Sequence, residues 1–221
     1  MPNELVERIS EREGGIGNGY SVSLGIVSNN FDLLGEGRVQ VRIPSLPAFD
    51  LWARVVGVGA GSSRGFFWIP ELDDEVLVAF NQNDERDAYI LGGVWSTFAR
   101  PPVDTPVDSL TKRVIKTGKT SGFGHEVEFD DLLQSITITS STNQKVSIDP
   151  LAIELSNSAG TLTIKMDNVS QTISINSVLR IEIAAPQVSV EGKGLLELKG
   201  GIINLKATGA CNIQGAVVKI N

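Results

Sequence analysis

Histidine and cysteine are almost missing from this chain of 221 residues, which has one of each, His125 and Cys211. A single histidine cannot supply a histidine-based metal cluster within one chain. A single cysteine rules out an intrachain disulfide and fits synthesis in a reducing compartment. No run of about eighteen apolar residues occurs, so no helical membrane span is expected. The first eight residues are charged and carry no apolar segment or small-residue cleavage site. A secretory signal is therefore not expected, and assembly in the cytoplasm is. Lysine is absent before residue 110, and no aromatic residue follows Phe129. The net charge of −7 argues against nucleic acid as a partner, because neutralising phosphates takes clustered Lys and Arg.

These shortages divide the chain. Residues 1–100 hold eight Arg, no Lys and fourteen acids, a balance of −6. Residues 101–221 hold eleven basic and twelve acidic groups, a balance of −1, and no Trp. From about Glu126 onward, apolar and polar residues alternate in short bursts: 135–139, 145–149, 161–165, 171–176 and 187–191. Strict alternation predicts strands with one buried face. The signal recurs every seven to ten residues to Asn221, a period that points to a solenoid-like object. One copy would be a ribbon with an apolar face and nothing to cover it. Three chains winding round one axis would cover it, as a triangular prism with aliphatics inside and Ser, Thr, Asn, Lys and Glu outside. The inward candidates are Ile138, Ile148, Leu155, Ile164, Ile173, Ile183, Val190, Leu198, Leu205 and Ile213, with Ile220 after them. Their spacing is 10, 7, 9, 9 and 10 as far as Ile183, then 7, 8, 7, 8 and 7. Shorter crossings make narrower faces, so the prism is expected to taper toward Asn221.

The first part reads differently. Residues 1–19 form an arm, with 3–13 either a short docked helix or a frayed segment, followed by a glycine-rich stretch at 14–19. Residues 20–98 suit a small Greek-key barrel of the oligonucleotide/oligosaccharide-binding (OB) type. Its candidate strands are 20–28, 38–43, 51–58, 65–69, 75–81 and 88–94, separated by turns rich in Gly, Asn, Asp and Pro. Trp52, Phe66, Phe67, Trp68 and Phe80 are expected mostly in its core, and the charges among them are acidic. That composition opposes single-strand binding, which needs basic residues beside exposed aromatics. Residues 99–124 form a proline-rich linker that leads to the needle, and 112–119 is either a solvated edge or a lead-in strand. Residues 125–221 are the needle itself.

Catalytic groupings fail on inspection. His125 lies in a Gly-Phe-Gly-His turn with no nucleophile elbow nearby. Asp130 and Asp131 are adjacent residues at a strand end, where turn formation is the plain reading. Residues 57–61 are glycine-rich but lead into no helix, which removes a dinucleotide-binding role. No enzyme activity and no cofactor are expected.

Five patches in order give the first part a family likeness. They are 25–28 (Gly-Ile-Val-Ser), 37–44 (Gly-Arg-Val-Gln-Val-Arg-Ile-Pro), 51–56 (Leu-Trp-Ala-Arg-Val-Val), 67–80 (Phe-Trp-Ile-Pro through Val-Ala-Phe) and 88–95 (Ala-Tyr-Ile-Leu-Gly-Gly-Val-Trp). The chain resembles the central spike of contractile injection machines: phage baseplate assembly protein V, the VgrG spikes of type VI secretion, and phage-tail-like particles. Residues 116–131 are similar to the segment joining barrel to needle in those spikes. Two departures stand out. Asp73 occupies a position usually held by Gly, and Leu133-Gln134 replaces a Gly-containing turn.

The resemblance implies an all-β chain, an OB-fold barrel followed by an intertwined trimeric β-helix. It implies a non-enzymatic homotrimeric spike that pierces a target envelope and touches its membrane transiently on firing. The implied partners are a separate hub protein at the tube end, baseplate components and a PAAR-repeat tip protein. The tip protein would dock on Val217, Lys219, Ile220 and Asn221, since the end lacks the His-x-His iron site of some short phage spikes. Alternatives are a trimeric receptor-binding tail fibre and a β-solenoid acting on polysaccharide.

Overall fold

The computed structural model describes residues 22–44, 50–84, 86–118 and 124–220. The arm at 1–19, with its candidate helix and glycine-rich stretch, lies outside the described residues, as does Asn221. The described chain is all-β apart from a short 3-10 turn (Asn81–Asn83) and one helical turn, α1 (Asp108–Thr111), between its two sheets.

Five strands close a barrel: β1 (Val22–Asn29), β2 (Arg38–Arg42), β3 (Leu51–Val55), β4 (Glu75–Phe80) and β5 (Ala88–Gly93). The order round the barrel is β1-β2-β3-β5-β4, and β4 returns to β1. β3 and β5 run parallel and the other pairs antiparallel. This is the five-stranded OB arrangement, in which closure removes the open sheet edges. Alternate residues turn inward. Val39 and Val41 on β2, Val76, Val78 and Phe80 on β4, and Ala88 and Ile90 on β5 are buried with Val27, Ile43, Leu51 and Ala53. Gly25 sits where β1 crosses β4. A Cβ there would lie 3.1 Å from Val78 Cγ2, so the crossing admits no larger residue without repacking.

One expectation about the barrel is corrected. Residues 65–69 form no strand, and Phe66, Phe67 and Trp68 lie outside the core. Phe67 is 79% exposed. The reason is topological. Because β3 pairs directly with β5, no place remains in the barrel for a strand at 65–69. The chain from 56 to 74 becomes a loop folded back on itself through a bridge between Gly61 and Arg64. Of the five aromatics expected inside, Phe80 is buried and Trp52 is half-buried under the Arg38 guanidinium.

Seven strands follow in a meander: β6 (Lys112–Lys116), β7 (Glu126–Asp130), β8 (Ser135–Thr139), β9 (Lys145–Ile148), β10 (Ala152–Ser156), β11 (Thr163–Asp167) and β12 (Thr172–Asn176). Each pairs antiparallel with its sequence neighbours. The ladder of this part of the needle is thus made within one chain. It begins at Lys112, inside the stretch read as linker, and β6 is its edge strand.

One end of the meander repeats a single turn device. Asp130 Oδ1 accepts from the backbone N–H of Leu132 and Leu133. Asp149 Oδ1 does the same for Leu151 and Ala152, and Asp167 Oδ1 for Val169 and Ser170. At the other end Ser140 Oγ accepts from Gln144 N–H, and Asn157 Oδ1 accepts from Thr161 and Leu162. Such side-chain acceptors mimic a backbone turn and fix where each strand reverses.

The two departures from family glycines fall on left-handed backbone, with φ of +65° at Asp73 and +52° at Gln134. Asp tolerates that region better than most residues, and Gln does not. Gln134→Gly is therefore expected to raise unfolding stability by about 1 kcal/mol, measured by chemical denaturation. An unchanged or lowered midpoint would show that the hairpin bears no strain at that residue.

Candidate self-association face

The register of the meander places two aliphatics from nearly every strand on one face. One column runs Ile115, Val127, Ile138, Val146, Leu155, Ile164 and Ile175, each directly opposite the next. The second runs Arg113, Phe129, Ile136, Ile148, Ile153, Met166 and Ile173. Directly opposed apolar pairs of this kind are the unit of sheet stabilisation. The other face is polar. There Lys116 Nζ lies 2.6 Å from Glu126, Lys112 Nζ 3.2 Å from Glu128, and Lys165 Nζ 3.1 Å from Asp167.

Among the described residues of 22–178, none covers the aliphatic face fully. Val127, Val146 and Ile153 are half-buried, and the exposed members run from 37% at Ile136 to 70% at Ile173, against zero for the valines of the barrel core. A groove of about 570 Å³ follows the first column and is flanked by Thr117, His125, Ser140, Gln144 and Asn157. Exposed apolar faces of this extent mark association sites in soluble proteins. A second groove, of about 450 Å³, lies between the barrel and β6. Phe66 and Trp68 stack in its wall, 5.7 Å apart, with Trp95, Pro102, Val114 and Ile115 opposite.

Residues 179–220 form a separate unit. No described residue in it belongs to a strand, and all are exposed. Residues 181–220 form no ladder, and backbone groups without an internal partner turn to water or to another chain.

Of the expected inward residues, the structure brings Ile138, Leu155 and Ile164 into the first column, and Ile148 and Ile173 into the second. Ile183, Val190, Leu198, Leu205 and Ile213 lie in the strandless unit, as do Val217, Lys219 and Ile220. The second apolar residue of each strand escaped the sequence reading, which took one per crossing, although alternation already implied two. The Phe66–Trp68 patch was missed outright. Its available signal was the run of three glycines at 57–61, which marks a loop.

Among the described residues no group of three or more His, Cys, Asp or Glu is placed to hold a metal. His125 serves a hairpin: its N–H donates to Thr117 Oγ1 at 2.9 Å, and its Nδ1 accepts from Ser141 N–H. Asp130 is likewise committed to its turn. In the barrel, Asp32 accepts from the N–H groups of Leu34, Glu36 and Arg38 and pairs with the Arg38 guanidinium. The Arg38 guanidinium holds its carboxyl well below the ordinary range, and the same carboxylate ties the loop between β1 and β2 through three backbone N–H groups. Arg54 bridges the parallel pair β3 and β5 by bonding Asp87 at 2.6 Å and lying 4.4 Å over the Tyr89 ring. No helix of the described chain is long and apolar enough to cross a membrane.

A closed OB barrel leading into a sheet with one uncovered aliphatic face defines an all-β assembly module. Residues 23–95 match the type VI secretion system/phage-baseplate injector OB domain family. Over 103 residues the chain is also 32% identical to a protein of Vibrio cholerae serotype O1 (strain ATCC 39541 / Classical Ogawa 395 / O395) named actin cross-linking toxin VgrG1. That match takes in 43% of this chain and 9% of the relative, so the chain matches about a tenth of the relative's length. Together the two matches support a VgrG-like, baseplate-type spike protein.

The turn that ends β11 is pH-sensitive in a defined direction. Backbone donation from Ser170, helped by Lys165, lowers the Asp167 carboxyl to about 2. Its contribution to stability is complete above the unfolded carboxylate value of about 3.9 and disappears as pH falls toward 2. The stability difference between the native protein and Asp167→Ala should therefore be largest above pH 4 and shrink below it, followed by denaturation at a series of pH values. A difference constant from pH 5 to pH 2 would contradict this account of the turn.

Proposed function

We propose that this chain is the structural, non-enzymatic spike subunit of a contractile injection machine, working as a homotrimer. The observation that carries the reading is the aliphatic face of β6–β12, not fully covered by the described residues of 22–178, on a protein whose barrel matches the injector OB family. Water in contact with that face is unfavourable, and a second hydrophobic layer is needed to displace it. Three copies related by a threefold axis supply that layer with identical surfaces and close on themselves. The strandless unit from Leu179 onward has the same need twice over, for apolar cover and for backbone partners.

In this reading the barrel and the base of the needle meet a hub protein at the tube end and other baseplate components. The trimeric β-helix tapers away from them, and its far end, with Val217, Lys219, Ile220 and Asn221, carries a PAAR-type tip protein. Sheath contraction drives the assembly through the target envelope, so stiffness and shape are the function. The particle is a phage tail or phage-tail-like object assembled in the cytoplasm. Nucleic acid is not expected as a partner, because the barrel's surplus of charge is acidic.

Solution mass tests the assembly. Light scattering or native mass spectrometry at micromolar concentration should give three chains, and a single-chain mass would defeat the proposal. Ile164→Asp, in the middle of the first column, should shift the mass toward one chain while the barrel stays folded. Co-elution with a PAAR-repeat protein checks the tip, and failure to bind any such partner would favour a fibre over a spike.

A further inference from the structure

We infer that the outer face of β1 and β4 is the docking site of the chain's own N-terminal segment, residues 3–13, folded back onto the barrel as a short amphipathic helix. Such docking takes place within one chain and does not depend on the trimer.

Alternate residues of a barrel strand face the core and the solvent, so the outer set of a free-standing barrel should be polar. Strand β2 obeys this, with Val39 and Val41 buried and Arg38, Gln40 and Arg42 outside. Strand β1 does not. Its Gly25 and Val27 are buried, while Val22 and Leu24 are 50% exposed and Ile26 42% exposed on the outer side. The register sets Leu24 opposite Leu77 of β4 and Val22 opposite Ala79. Leu91 is exposed one strand further on, at the irregularity where β5 meets β4. Six apolar residues of three neighbouring strands thus form one patch outside a barrel whose core is already filled. Single exposed aliphatics are ordinary, and contiguous ones mark an association site. Charge bounds the patch at its far end, where Ile26 lies between Glu75 of β4 and Arg42 of β2.

The occupant follows from where the chain enters the barrel. Val22 is the first described residue, so the patch begins at the point where residues 1–21 join it. Residues 14–19 include Gly14, Gly15, Gly17 and Gly19, and glycine admits the sharp reversal that folding back requires. Residues 3–13 start at Asn3, a favourable N-cap, and carry Leu5, Val6 and Ile9 on one side of a helix, with Glu and Arg over the rest. Eleven helical residues span about 17 Å. The outer face from Val22 to Ile26 spans about 14 Å. A helix returning along β1 would set three apolar residues against three of similar size.

The direction of return fits the charges as well. It brings the acidic start of the segment, Glu4 and Glu7, to the end of the patch that carries Arg42, whose side chain is largely exposed beside Asp50. Each side also lacks what the other supplies. A helix of about eleven residues is marginal in water without packing. The β1 face in turn has no apolar neighbour among the described residues beyond β4 and β5. The tether decides between this occupant and a separate protein. A segment joined to the patch by a few residues is present there at an effective concentration on the order of millimolar.

Trypsin tests the docking, because Arg8 and Arg12 are its sites ahead of Arg38. In the full-length protein, cutting after Arg8 and Arg12 should be about tenfold slower than in Leu24→Asp, read from the masses of the released peptides. Ile9→Asp should speed the cutting by the same factor, and the double variant no further, since each change removes the same contact. Disulfide trapping supplies a second measurement that needs no charged substitution in the barrel. In a Cys211→Val background, Ile9→Cys with Leu24→Cys should close within one chain about tenfold faster than Ile9→Cys with Gln40→Cys on the polar strand β2. Equal cutting in the native protein and a folded Leu24→Asp, or equal closure of the two cysteine pairs, overturns the docking. A disulfide that joins two chains, or a Leu24→Asp that changes the solution mass and leaves the cutting unaltered, assigns the face to another copy and overturns it too. None of these results touches the spike reading, which stands or falls on the three-chain mass of the native protein.

Discussion

Exposed aliphatic surface on a sheet whose strands pair within one chain is the condition from which the rest of this protein follows. Within β6–β12 every strand pairs with its sequence neighbours in the same chain, which leaves only the outer edges of β6 and β12 unpaired within the sheet. The side chains make the larger demand. Two columns of Ile, Val, Leu and Met face outward from one side, at exposures that no barrel residue of the core shares. The described residues of 22–178 do not supply full cover, and in the proposed assembly a closed ring of identical faces does. From Leu179 onward the demand extends to the backbone itself.

The sheet can present such a face only if its register is held, because a slip of one residue would move every aliphatic to the polar side. Turn chemistry does the holding. Asp130, Asp149 and Asp167 each take two backbone N–H groups at one end of the meander, and Ser140 and Asn157 act at the other. Neighbouring turns are also joined, with Asn168 donating through its backbone N–H to Leu151 O and through Nδ2 to Pro150 O. On the polar side, Lys112 and Lys116 of β6 pair with Glu128 and Glu126 of β7, which disfavours a slipped pairing of those two strands further. Asp130, one of the two adjacent carboxylates weighed for acid–base chemistry, is thus occupied in closing a turn.

The barrel meets its own requirements. Its core is closed, its loop between β1 and β2 is tied by Asp32, and its parallel pair is clamped by Arg54 and Asp87. Besides the outer face of β1, it offers outward the loop at 56–74, with Phe66 and Trp68 stacked beside Trp95. Ile115 lines both the groove under these rings and the groove along the first column. Apolar surface therefore continues from the loop of the barrel onto the sheet, and the self-association proposed for the sheet would reach the barrel's rings.

Much of this was legible in the residues. Alternation at 135–139 gave β8 its bounds, and the bursts at 145–149, 161–165 and 171–176 located β9, β11 and β12 to within two residues. The order of the family patches predicted the OB barrel. Asp130 was readable as a turn former. Period and turn preference are properties of a few neighbouring residues, so they survive without knowledge of the fold. Other features depend on partners distant in sequence. The direct pairing of β3 with β5 expelled 65–69 from the barrel and left its aromatics in solvent. The left-handed backbone at Asp73 and Gln134 revealed why glycine is usual there. Only the aligned register of seven strands turned scattered aliphatics into two columns. By itself the sequence determined that this chain makes strands with one apolar face; the tertiary structure decided which strands pair, because closure and register are set by contacts that no local stretch contains.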